Sequence, residues 1–221
     1  MEYKGLTINI TQDEHFDFDP RTEYDNLGTM YCKHRRYKLG DVGAQSPFEP
    51  RFILGEVVNF NIQYRRDDVA VVLPLYLYDH GGLVMRTTPY ECPWDSGQVG
   101  WIYITKAKVL SEYGWKRITK SRRAKLIKYL TCEVETYSQY LSGEIYYYAI
   151  KDDDGFVLDS LGGLFGYDYA EEEAMRAADY EFGKQIENVK ECLDDQTRYT
   201  MTQLKKSVRV EERLVTYAER N

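Results

Sequence analysis

The sequence predicts an α+β fold: a single domain with a mixed or antiparallel sheet and two main helices in the C-terminal half. Short apolar or alternating segments fill much of the first 105 residues, as expected of strands. Two later segments, 119–141 and 169–189, carry apolar residues at helical spacing. With 221 residues, of which 43% are apolar and 29% charged, the chain can bury a sizeable core. We assign residues 1–190 to this domain and residues 191–221 to a polar C-terminal extension.

The first strands are predicted from side-chain alternation. Residues 6–10 alternate apolar and polar side chains, which is typical of a half-buried strand. Residues 29–37 contain β-favouring side chains, and if they are extended, Cys32 and His34 share one face. Prolines and acidic residues predict irregular chain at 13–26 and 44–50.

The strongest apolar run, residues 69–78, is also predicted to be a strand. Its interior Pro74 cannot donate a backbone hydrogen bond, so the run is either an edge strand or two pieces around a bulge. A tight turn over residues 79–82 then leads into 83–85, because Asp and Gly favour turn conformations. Residues 98–105 form a further predicted strand.

The C-terminal half is predicted to contain a helix, a hairpin and a second helix. The first helix, 119–141, has its apolar stripe at Leu126, Ile127, Leu130, Val134, Tyr137 and Leu141. An Asp-Gly turn joins the predicted strands 144–151 and 156–159. The second helix covers 169–189, and the polar remainder is an appended helix or strand.

Composition excludes several classes of function. The net charge of −7 argues against broad non-specific DNA binding, which needs a basic face. No run approaches the roughly 20 apolar residues of a membrane span, and no N-terminal signal segment is evident. The four cysteines form no CxxC pair, so we expect reduced thiols and a cytoplasmic location. The 21 tyrosines favour an amphipathic interface, although a tyrosine-rich core edge is an alternative.

Two stretches, residues 25–41 and 73–104, hold two of the three histidines, two of the four cysteines and two of the three tryptophans. We expect any site to lie there. A catalytic site, as in a small hydrolase or nuclease, would use His34, Asp79 and His80. Cys32 or Cys92 could act as a nucleophile with these groups. The alternative is that Asp79 only stabilises the turn that follows it.

A zinc site is the next candidate. Its ligands would be Cys32, His34, His80 and Cys92, but only one closely spaced ligand pair exists. A buried free cysteine beside a satisfied histidine accounts for the same residues, so we predict no metal and no cofactor. Residues 162–166 fail the dinucleotide-loop spacing, and the acidic residues after them would repel a phosphate.

A partner-binding surface is the interpretation that we prefer. It comprises a basic segment and an aromatic loop, whose residues are Arg35, Arg36, Tyr37, Trp94, Asp95 and Trp101. We expect the two parts to form neighbouring walls of one exposed surface. The alternative for the loop is a rigid corner with its tryptophans in the core. A second basic cluster, residues 116–125, is interpreted as a solvated helix face, although it could hold a phosphate backbone or an acidic partner.

Three blocks resemble a protein family of bacteriophages and integrated mobile elements. They are DNLGTMYCKHRRYKLGD at residues 25–41, LPLYLYDHGG at 73–82 and CPWDSGQVGW at 92–101. The resemblance implies a phage-encoded accessory protein that acts inside the host cell, and it supplies no catalytic residues. We therefore expect a protein that binds and inhibits a host protein or protein–nucleic-acid complex, such as a CRISPR effector. An enzyme is the alternative, and a virion component is disfavoured by the absence of repeats.

Overall fold

The computed structural model describes the backbone of residues 1–53, 56–65 and 67–218, and the side chains of residues 1–48 and 67–205. The α+β class is confirmed. The strands are β1 Glu2–Tyr3, β2 Leu6–Gln12, β3 Thr29–Cys32, β4 Phe48–Ile53, β5 Glu56–Arg65, β6 Val69–Asp79, β7 Leu83–Arg86, β8 Ser96–Thr105, β9 Ile145–Lys151 and β10 Val157–Phe165. The helices are α1 Pro20–Glu23, α2 Lys106–Tyr113, α3 Lys120–Ser142 and α4 Tyr167–Ala218.

The chain divides into two compact units. Unit 1 consists of residues 1–11, 148–161 and the chain from Ala170 onward, and unit 2 of residues 12–147 and 162–169. One four-stranded sheet has the order β1-β2-β9-β10. Within unit 1, the sheet buries Leu6, Ile8 and Ile150, and α4 buries Ala170, Ala174 and Ala178 at four-residue spacing.

Unit 2 contains an antiparallel sheet of order β3-β8-β6-β7 and the helix α3. The core includes Met30, Leu75 and Ile102 from the sheet, together with Leu126 and Leu130 from α3. A separate two-stranded sheet pairs β4 with β5. Within the described residues, no helix combines the length and apolar character needed to cross a lipid bilayer.

Helix α3 confirms the predicted helix to within one residue at each end. Thr119 caps its first turn through its side-chain oxygen, as N-cap residues do. Gly143 ends the helix with a φ of 72°, in the left-handed region that glycine adopts without a steric penalty. The stripe at Leu126, Leu130, Val134 and Tyr137 is buried, so helical spacing located the core face correctly.

Other boundaries differ from the prediction. Strand β3 ends at Cys32, so of residues 29–37, whose side chains favour strands, only the first four form one. Helix α4 is one continuous element of 52 residues, far longer than the predicted segment 169–189. It passes residue 190 without interruption, and the separation of residues 191–221 as an extension stays a prediction. The hairpin β4–β5 and helix α2 were not predicted.

Pro74 lies inside one continuous strand, β6, rather than between two pieces. On one side it is paired with Trp101 of β8. On the other side, β7 pairs with β6 only from Tyr76 onward. Strand β7 therefore does not reach Pro74, and the lack of a backbone N–H at Pro74 costs no hydrogen bond to β7. A register shift between Leu75 and Tyr76 supplies the predicted irregularity. The proline therefore sits where β6 is locally an edge.

Candidate functional site

The sheet of unit 2 brings the two chemically rich stretches to one end. Strands β3 and β6 both run antiparallel to β8, so their carboxyl ends lie beside the start of β8. Two backbone hydrogen bonds extend these pairings: Lys33 donates to the Val99 carbonyl at 2.8 Å, and Asp79 donates to the Asp95 carbonyl at 2.8 Å. Residues 33–36 and the loop that carries Trp94 therefore adjoin, as expected from the sequence.

Between these segments lies a groove of about 370 Å³, which we call the Trp94 groove. It is lined by residues 33–36, by residues 94–99, and by Leu77 and Asp79 of β6. The indole of Trp94 is 91% exposed, the second most exposed large apolar side chain among the described residues. The groove thus combines an exposed aromatic ring with the cations of Lys33, Arg35 and Arg36.

Asp79 is held by two neighbours in the groove. Its Oδ2 accepts a hydrogen bond from Arg36 Nη2, and its Oδ1 accepts one from the Tyr37 hydroxyl at 3.3 Å. The Arg36 guanidinium also lies 5.3 Å from the centre of the Tyr37 ring. The Asp79 side chain is only 22% exposed, whereas that of Arg36 is 56% exposed. A carboxylate engaged on both oxygens fixes the loop after β3 rather than standing ready as a general base.

His34 is also occupied by its own loop. Its ring stacks on Tyr37 with centres 5.0 Å apart. Its Nδ1 accepts hydrogen bonds from the backbone N–H groups of Arg36 and Tyr37, each at 3.3 Å. His34 shapes the turn that presents Arg36 to the groove.

A second group of polar side chains joins the loop after β6, which contains His80, to the connection between β7 and β8, which contains Cys92 and Asp95. His80 Nδ1 lies 3.5 Å from Asp95 Oδ2, and Cys92 Sγ lies 3.7 Å from the same oxygen. The carboxylate is shared by the thiol and the imidazole, whereas a cysteine nucleophile needs the imidazole next to the sulfur. In the described part of the chain, His80 makes no hydrogen bond or ring contact with His34. The structure does not join the three candidate catalytic residues into one group.

Cys32 is half-buried against the core and lies beside a buried ionic cluster. The pKa of its thiol is raised to about 12, chiefly by burial and also by the Asp41 carboxylate, while Arg21 acts in the opposite direction. Strand β3 ends at Cys32, which packs against the core, whereas His34 stacks on Tyr37. The extended chain that would have placed both residues on one face does not reach His34. In the described residues, no three His, Cys, Asp or Glu side chains are grouped as metal ligands.

We expect Cys32 to resist alkylation in the folded protein at pH 8, because the thiolate is the reactive form. The exposed thiols of Cys132 and Cys192 should react first. Iodoacetamide labelling followed by peptide mass spectrometry measures the rates, and labelling in urea provides the control in which all four cysteines react. Labelling of folded Cys32 as fast as Cys192 would contradict the burial.

The same pKa shift has a consequence for stability. Because the pKa of the Cys32 thiol is higher in the folded than in the unfolded state, the folded state is favoured when this thiol is neutral. That contribution is complete below about pH 8.5, where the unfolded thiol is also neutral, and is lost as the pH rises towards 12.

The ionic cluster beside Cys32, which we call the Arg21 network, holds residues 25–41 to α3. The Arg21 side chain is 1% exposed and binds Asp41 through two nitrogens, at 2.7 and 3.0 Å. It also donates to Glu133 at 3.0 Å and to the Gly28 carbonyl at 2.8 Å. Glu133 accepts from the backbone N–H groups of Leu27 and Gly28. The first resemblance block is thus largely a structural framework.

Trp101 has a structural position rather than a place in the groove. Its ring stacks on Tyr31 at 6.2 Å and meets Phe48 edge-on at 5.0 Å. The residue is half-buried in β8. Of the two tryptophans assigned to the partner surface, only Trp94 lines the groove, and for Trp101 the rigid-corner alternative describes the contacts better.

A second cavity, the Tyr129 cleft, was not found from the sequence. It has a volume of about 530 Å³ and lies beside α3. Its aromatic lining comprises Tyr24, Tyr113, Tyr129, Phe165 and Tyr169. These rings come from four distant segments, so no local pattern indicates them. Arg21 and Glu133 also line the cleft, but each is already paired within the Arg21 network.

Comparison of the chain with protein-family models, with curated proteins and with solved structures found no match.

Proposed function

We propose that this chain is a phage-encoded accessory protein that binds and inhibits a host protein or protein–nucleic-acid complex through the Trp94 groove. The observation that carries the proposal is the 91% exposure of Trp94 beside the cations of Arg35 and Arg36. Tryptophan and arginine are the residues most enriched among those that dominate binding energy at protein interfaces. A groove that presents both is suited to contact another macromolecule.

The surroundings of the groove support a preformed contact surface. Asp79 and Tyr37 hold Arg36 in place, and His34 stacks beneath them, so these side chains lose little freedom on binding. Backbone pairing of Lys33 with Val99 fixes one wall relative to the other. Trp94 itself has most of its surface in water, and burying that surface would supply the apolar part of the binding energy.

The inhibitor assignment is supported by the family resemblance. The proposed partner class is a defence nuclease such as a CRISPR effector. The groove fits a partner surface that offers acidic groups to Arg35 and Arg36 and an apolar pocket to the indole.

The Trp94→Ala variant should lose binding and inhibition. We expect at least about a thirtyfold loss of affinity, the effect of removing an interface residue worth about 2 kcal/mol. Affinity capture from host lysate identifies the partner, and titration of that partner gives the affinity. Phage plating on cells that carry the defence system measures inhibition.

Phe156→Ala is the matched control, since Phe156 is 71% exposed and lies in the other compact unit. It should bind and inhibit like the unmodified protein. Equal losses in both variants would point to a general effect of surface aromatics, and full activity of Trp94→Ala would refute the groove as the contact surface.

The enzyme alternative has one observation in its favour, the approach of His80 to Asp95 at 3.5 Å. It predicts that His80→Ala abolishes the effect on the host, whereas the proposed function predicts that His80→Ala retains it, because His80 does not line the groove. Retention in His80→Ala together with loss in Trp94→Ala would exclude the hydrolase or nuclease based on His34, Asp79 and His80.

A further inference from the structure

The chain carries a strongly basic surface that the proposed function does not use. Residues 106–128, which we call the basic segment, contain nine of the 29 Lys and Arg residues but only one of the 36 Asp and Glu residues, Glu112. The acidic net charge of the chain therefore conceals an uneven distribution. The segment comprises α2, the start of α3 and the loop between them.

The cations of the basic segment are not neutralised by the protein. Within the described residues, none of them lies in an ion pair with a carboxylate. The exposed members are Lys106, Lys116, Arg117, Lys120, Arg123, Lys125 and Lys128. By contrast, the cations of α4, such as Arg176 and Lys184, pair with glutamates on the same helix.

This charge placement disfavours the fold locally. The first turn of α3 contains no acidic residue and begins with Lys120, although the positive end of a helix dipole favours carboxylates. An anionic ligand would remove the repulsion among these cations and between them and the helix dipole.

Aromatic rings lie among these cations. Tyr113 and Trp115 stack with ring centres 4.4 Å apart, and the Arg122 guanidinium lies 4.9 Å from the Trp115 ring centre. Trp115 also lines a pocket of about 430 Å³ together with Leu110, Lys116 and Arg117. The pocket therefore has an apolar and aromatic side and a cationic side.

We propose that the basic segment binds single-stranded nucleic acid, with phosphates on Lys116, Arg117 and Lys120 and a base in the pocket beside Trp115. Proteins that bind single strands combine a cationic track with aromatic stacking platforms, and both are present here. A duplex would offer the phosphates but would keep its bases stacked inside. An acidic peptide would use the cations and leave the pocket empty. The proposal uses residues separate from the Trp94 groove, so either can fail alone.

Fluorescence anisotropy with a labelled oligothymidylate of about 12 nucleotides tests the proposal. We expect binding at about 50 mM salt that weakens steeply by 200 mM. The triple variant Lys116→Glu, Arg117→Glu, Lys120→Glu should bind at least tenfold more weakly. It should also lower the slope of log K against log salt by about 2, because each lost phosphate contact on a single strand contributes about 0.7.

The matched control is the triple variant Lys184→Glu, Lys190→Glu, Arg198→Glu on α4, which changes the net charge equally. Its affinity for the oligonucleotide should stay within about threefold of that of the unmodified protein, because a change in net charge alone only slightly alters the long-range attraction of a charged ligand. Equal losses of oligonucleotide affinity in the two triple variants, or no binding of the unmodified protein at low salt, would overturn the proposal.

Two competitors test the identity of the ligand. Equal or tighter binding of a duplex of the same length, or of polyglutamate, would overturn the single-strand assignment. Trp115→Ala should weaken oligothymidylate binding more than Trp115→Phe, with folding of each variant checked by thermal denaturation. Full binding by a folded Trp115→Ala would remove the stacking pocket from the proposal.

Discussion

Arg21→Ala is expected to lower the free energy of unfolding of unit 2 by about 3–5 kcal/mol, the usual cost of removing one partner from a buried ionic group. The guanidinium is 1% exposed and is the shared partner of Asp41 and Glu133. Without it, both carboxylates remain partly buried with no counter-charge, and the Gly28 carbonyl loses a donor. Urea denaturation followed by tryptophan fluorescence measures the change, because all three tryptophans lie in unit 2.

Arg176→Ala provides the matched control for this prediction. Arg176 pairs with Glu172 and Glu173, but its side chain is 63% exposed, and exposed pairs of this kind contribute about 0–1 kcal/mol. We expect little change in unfolding. Because Arg176 lies in unit 1, unfolding of both variants is also followed by far-ultraviolet circular dichroism. If Arg21→Ala were as mild as Arg176→Ala, the Arg21 network would not hold residues 25–41 to α3.

The second large effect is expected from Gly100→Ala. A Cβ atom at this position would lie 1.9 Å from the Tyr31 carbonyl oxygen and 2.9 Å from Cys32 Cα. These obstacles are backbone atoms of β3, so relief requires separation of β3 from β8, where Gly100 is paired with Cys32. We expect a loss of about 3 kcal/mol or more in the free energy of unfolding, at the upper end of overpacking effects.

Gly97→Ala in the same strand is the matched control. Nothing lies within 4 Å of a Cβ atom built at Gly97. The stability should change by no more than about 0.5 kcal/mol, as for ordinary surface substitutions. Because Gly97 also lines the Trp94 groove, this variant also tests whether the groove tolerates one added methyl group. A similar loss in both variants would contradict the steric explanation for Gly100.

Local patterns predicted the elements whose signals are local. The stripe from Leu126 to Tyr137 located α3, and the Asp-Gly turn located the β9–β10 hairpin. Residues 33–37 show where local patterns mislead, because their side chains favour strands. In the structure the backbone N–H groups of Arg36 and Tyr37 donate to His34 Nδ1, and these bonds stabilise a turn. The residues at the end of α4 are polar and mixed in charge, so the sequence left open whether they form an appended helix or a strand, and the structure continues α4 to Ala218.

The site was predictable in part for the same reason. Both walls of the Trp94 groove stood out because histidine, tryptophan and turn glycines accumulate there, and antiparallel pairing brought them together. Trp94 lies in the loop before β8 and lines the groove, whereas Trp101 lies within β8 and packs on Tyr31 and Phe48. Composition does not reveal this separation. The Tyr129 cleft and the Arg21 network unite residues more than 100 positions apart, and such contacts leave no local signal.

The Arg21 network bears on how relatives of this chain should be interpreted. Gly28, Met30 and Asp41 lie in the longest resemblance block, and their contacts maintain the framework. A protein that shared only these positions would inherit the scaffold while remaining free to recognise a different target. If the proposed contact surface is correct, the choice of target depends instead on the side chains at positions 35, 36 and 94, which are exposed and can change without removing core contacts.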